Sequence, residues 1–81
     1  MKYQINLEEY EGWSPEDINL LMAVLESQEK LGKKALTAFD EVVVRGLVLL
    51  VKQGEIIYHV DAKGQYHWTS PSTPVDKMSL N

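Results

Sequence analysis

The sequence predicts an α+β domain: two main helices followed by a β-hairpin, with a short strand at the N-terminus. Three observations carry this expectation. Residues 15–31 space their apolar side chains for a helix between a Ser14-Pro15 start and a Gly32 stop. The most apolar run in the chain, FDEVVVRGLVLLVKQ at 39–53, lies between Thr37 and Gly54, again a helix start and a helix end. Two alternating stretches then flank Asp61-Ala62-Lys63-Gly64, the pattern of two strands and a tight connection.

Residues 2–7 alternate Lys2, Gln4 and Asn6 with Tyr3, Ile5 and Leu7, the period of a half-buried strand. Glu8, Glu9 and Glu11 follow as an acidic turn ending at Gly12. Ser14 then serves as N-cap, Pro15 takes the first helical position where its missing N–H is harmless, and Glu16 and Asp17 favour the positive end of the helix dipole. Trp13 and Ile18 stand where a hydrophobic staple would. On a helical wheel Ile18, Leu20, Leu21, Met22, Val24, Leu25 and Leu31 make one broad apolar arc.

The connector, residues 33–37, has room for a short helical turn and ends at Thr37, with Asp40 three residues on as a shortened capping box. The second helix covers about residues 38–53. Its wheel carries a wide arc of Val43, Val44, Leu47, Val48, Leu50 and Val51, and a separate ridge at Val42 and Leu49. Glu41, Arg45 and Lys52 make its polar stripe, with Glu41 and Arg45 a favourable i,i+4 pair. The hairpin arms are residues 55–60 and 65–69. Gly64 suits the left-handed position of a turn with a G1 bulge, which pairs Val60 with Tyr66, His59 with His67 and Tyr58 with Trp68. The expected buried face holds Ile56, Tyr58, Val60, Tyr66 and Trp68. The domain is expected over residues 1–69, with a disordered polar tail over 70–81.

An 81-residue chain makes one small domain with a modest core, for which dimerisation is a common aid to stability. Without cysteines, disulfides and thiolate metal sites are excluded. Twelve acidic against eight basic residues give a net charge of −4, which disfavours binding driven by phosphate neutralisation. The start MKYQINLEEYEG is not a signal sequence, and the apolar run at 42–51, interrupted by Arg45, is too short to span a membrane. The expectation is a cytoplasmic protein without membrane contact and without a cofactor.

The order helix, short connector, helix, hairpin resembles a winged helix-turn-helix domain, over residues 14–69. The second helix running into KQGEIIYHVDAKGQYHWT looks like a recognition helix and a wing with its tip at Asp61–Gly64. That resemblance implies DNA binding through the first half of the recognition helix, where this chain has Asp40, Glu41, Val44 and Arg45. The candidate DNA-contacting cations are Arg45, Lys33, Lys34 and Lys63.

Two acids at the head of that helix favour protein as the partner, either a different protein or a second copy forming a homodimer. The candidate interface is Val42, Gly46 and Leu49. Gly46 lowers helix stability by about 1 kcal/mol relative to alanine, so either a close approach to the first helix or a dimer axis is expected there. The facing pair His59 and His67 lacks the further ligands a structural zinc needs. The acids Glu8, Glu9, Glu11, Glu16 and Asp17 read as a solvated helix start. Ser, His and Asp occur without a nucleophile motif or phosphate loop, and a non-enzymatic, macromolecule-binding domain is expected.

Overall fold

In a computed structural model, residues 3–32 and 35–71 are described. After a 3-10 turn at Leu7–Tyr10 come α1 (Pro15–Lys30), α2 (Ala38–Lys52), β1 (Ile57–Val60) and β2 (Tyr66–Thr69). Two helices followed by an antiparallel two-stranded hairpin is the expected α+β arrangement.

The helix ends form where the local signals place them. Ser14 Oγ accepts from the Asp17 N–H at 3.2 Å. Thr37 and Asp40 make a reciprocal capping box, the Asp40 N–H donating to Thr37 Oγ1 and the Thr37 N–H to Asp40 Oδ2. At the end of α2 the Gly54 N–H donates to the Val51 carbonyl and the Glu55 N–H to the Leu50 carbonyl, at 3.0 and 2.9 Å. That is a Schellman motif, and it requires the positive φ of +80° that Gly54 adopts without strain.

The hairpin takes the expected register, with Tyr58 opposite Trp68, His59 opposite His67 and Val60 opposite Tyr66. Its tip is tied by Asp61, whose Oδ1 accepts from the N–H groups of Lys63 and Gln65. Gly64 closes the turn at φ +89°.

The core lies between the helices. Leu21, Val24 and Leu25 of α1 meet Val44 and Val48 of α2, and Tyr10 and Leu36 complete the cluster. Trp13 and Ile18 both pack against it. Of the hairpin, Tyr66 and Trp68 on β2 reach this core, and they do so along the Val24, Ser27, Gln28 and Leu31 side of α1. Ser27 Oγ donates to the Gly64 carbonyl at 2.8 Å, which ties the hairpin tip to α1.

Four expectations are corrected. Residues 3–6 form no strand and 7–10 form a 3-10 turn; the sheet among the described residues has two strands. The alternation of Tyr3 and Ile5 is still read by the fold, because both pack against the core as an irregular strap. Residues 35–37 are not helical. The expected buried face of the hairpin is only partly buried: Tyr66 and Trp68 on β2 pack against the core, whereas Tyr58 and Val60 on β1 are exposed. Finally, Val43 and Leu50 are not core residues, since both are more than a third exposed. Lys33, Lys34 and the tail at 72–81 lie outside the described residues.

Candidate functional site

The sequence leaves α2 apolar on almost every side, so its function depends on which sides are covered. At ~100° per residue, Val44, Val48 and Glu41 point one way, and these are its buried residues. Gly46 points about 160° away from both Val44 and Val48. Around it on the same outward face lie Phe39, Val43 and Leu50 to one side and Val42 and Leu49 to the other. All five are exposed, Phe39 at 73% and Val42 at 59%. The wide arc and the separate ridge expected from the wheel are therefore regrouped. Val43 and Leu50 leave the arc and, with Phe39, join the ridge in a single uncovered apolar face centred on Gly46.

Val42, Gly46 and Leu49, the expected interface residues, are brought together on this face. A Cβ built on Gly46 meets nothing within 4 Å. Close packing of Gly46 against the first helix, one of its two sequence readings, is thereby ruled out within the chain.

The inward face carries a polar cluster that sequence reasoning missed. Glu41 is 7% exposed. Tyr3 donates to its Oε1 at 2.6 Å, Tyr10 donates to its Oε2, and the Arg45 guanidinium donates to Oε2 at 3.2 Å. Arg45 also donates to Glu9 Oε1 and to the Tyr10 hydroxyl, both at 3.1 Å, and its guanidinium sits 4.7 Å from the Tyr10 ring centroid. Tyr10 in turn meets Trp13 edge-on at 4.9 Å. A buried carboxylate without partners would be strongly destabilising. Here burial acts to raise the Glu41 pKa, and the hydrogen bonds from Tyr10, Tyr3 and Arg45 outweigh it and hold the group below its ordinary value. The same contacts push both phenols up to about 12. At Tyr3 the bond to Glu41 is the main cause, and at Tyr10 it is burial followed by that bond. The cluster pins the N-terminal strap to α2, so that the strap joins α1 in covering the inward face.

The two candidate cations among the described residues, Arg45 and Lys63, serve different parts of the fold. Arg45 is engaged in the Glu41–Tyr10–Glu9 cluster, with its pKa raised chiefly by the bond to Tyr10. Lys63 is exposed at the hairpin tip, beside the last two turns of α1. Lys52 pairs with Asp17 at 3.5 Å. His59 and His67 stack at 4.9 Å, and His67 Nε2 lies 2.9 Å from Asp61 Oδ2. That contact is the main reason the Asp61 pKa falls to about 2. Among the described residues no group of three or more His, Cys, Asp or Glu is placed to hold a metal ion, and no helix is long and apolar enough to cross a membrane. An open groove of about 460 Å³ runs between the strap and α1, lined by Tyr3, Ile5, Leu7, Met22 and Glu26.

Comparison of the chain with protein-family models, with curated proteins and with solved structures finds no match.

Proposed function

We propose that this chain is a small, non-enzymatic protein-interaction domain that associates with a second copy of itself through the outward face of α2. The observation that carries the reading is the exposure of Phe39, Val42, Val43, Leu49 and Leu50 on one side of one helix. Burying a side chain of this kind is worth about 1.5–3 kcal/mol, and a contiguous exposed apolar face is the usual mark of a binding surface. Glu41 and Arg45 lie off this face and are held by the strap, and Asp40 at its edge is held by Thr37 in the capping box. The face runs the ~22 Å length of a 15-residue helix. One helix face buries less than the ~800 Å² per partner of a standard interface, so the association belongs with weak, transient ones, to be sought at about 1–100 μM.

Sedimentation velocity across that concentration range tests it. The expected result is a shift from monomer to dimer that Leu49→Glu abolishes. A clean monomer at several times the upper limit would sink the reading.

The helix–helix–hairpin order supports a rival, a DNA-binding regulator of winged-helix type. Against it stand the engagement of Arg45 and the net charge of −4. Fluorescence anisotropy with duplex DNA at low salt separates the two. Binding that weakens steeply with added salt would favour the rival.

A further inference from the structure

We infer that the second copy docks antiparallel, with α2 crossing α2 at Gly46 on a two-fold axis. This rests on the self-association reading and adds its geometry. A two-fold interface must be complementary to itself, and the outward face of α2 has that property about one point. Counting from Gly46, apolar residues stand at three and four positions before it (Val43, Val42) and at three and four after it (Leu49, Leu50). Seven before is Phe39 and seven after is Gln53. A two-fold axis through Gly46 sets Val42 against Leu49 of the second copy on one flank, and Val43 against Leu50 on the other. Phe39 then lies over Gln53 of the second copy, so the bulkiest side chain on the face meets a flexible one.

Glycine is the poorest helix former apart from proline, and nothing among the described residues occupies the space at Gly46. At a crossing point it lets two helix backbones approach to the short end of the usual 8–10 Å range. An antiparallel crossing also sets the positive end of each helix dipole by the negative end of the other.

The chain has no cysteines, so introduced ones report the geometry cleanly. Val42→Cys and Leu49→Cys variants, one carrying a mass tag, are mixed and oxidised at a concentration where the unmodified chain is dimeric. The expected product is the mixed 42–49 disulfide, in at least fivefold excess over either homodimer. Predominant 42–42 and 49–49 disulfides indicate a parallel arrangement and overturn this inference while leaving self-association standing. A chain that is monomeric throughout overturns both. Gly46→Ala supplies a second measurement. Association should weaken at least tenfold while the thermal midpoint of the dilute, monomeric chain rises. Unchanged association would overturn the crossing at Gly46 without touching self-association.

Discussion

The two faces of α2 do not sort into polar and apolar: Val44 and Val48 are buried on the inward face, and a charged residue is buried beside them. The inward face buries a glutamate between two tyrosines and an arginine. The outward face shows water a phenylalanine, two valines and two leucines. Residue type alone would not have told the buried valines from the exposed ones. The difference is cover: α1 lies on the inward face, and beside it the strap over residues 3–13. The strap brings Tyr3 and Tyr10, whose hydroxyls need an acceptor when removed from water, and Glu41 is the acceptor. The outward face has no such cover within the described residues. Burial along this helix follows what covers each side more closely than it follows hydrophobicity.

This contrast can be broken from the inside first. Tyr10→Ala removes a side chain that is 2% exposed, strips one bond from Glu41 and empties the space under Trp13. We expect a loss of about 3–5 kcal/mol, read as a lower midpoint in urea denaturation. A loss under about 1 kcal/mol would show that the strap does not hold the inward face.

Raising the pH tests the same cluster with a smaller effect. The folded chain holds the two phenols at about 12 against an ordinary value of 10.0. A raised folded-state pKa means that the contribution is complete below pH 10 and is lost as the pH climbs toward 12. There the unfolded chain has released its phenolic protons and the folded chain has not. Two pH units at one buried phenol correspond to roughly 2–3 kcal/mol. Denaturant midpoints should therefore fall between pH 10 and pH 12, and in an ultraviolet titration Tyr3 and Tyr10 should ionise last, with Tyr66 also delayed by its burial. All four titrating together near pH 10 would contradict the cluster.

The smallest effect is expected outside. Phe39→Ser removes an aromatic that is 73% exposed. At dilution, where the chain is monomeric, it should change stability by less than about 0.5 kcal/mol. A larger loss would mean that Phe39 packs within the chain and that the outward face is not free.

Much of the local architecture was legible in the sequence because its causes are local. Thr37 and Asp40 make their capping box three residues apart. The Gly54 end of α2 uses bonds within five residues, and Gly64 together with the two-residue period sets the hairpin register. The candidate face was half legible. Val42, Gly46 and Leu49 stand out by spacing, and Gly46 by its low helix propensity. Val43, Leu50 and Phe39 were hidden, because on a wheel they look like the edge of a core. The signal that could have regrouped them is the placement of Tyr3 and Tyr10 in an otherwise polar, acidic segment.

By itself, then, the sequence determined where the helices begin and end, how the hairpin pairs and that α2 has more apolar surface than two elements can cover. Only the tertiary structure decided which side of α2 is covered. The contacts that settle it are those of α1 with Val44 and Val48 and the bonds that join Glu41 to Tyr10 and Tyr3, 31 and 38 residues away. Helical spacing reports which residues share a side, whereas covering that side depends on another segment arriving with matching donors, and no local period encodes that.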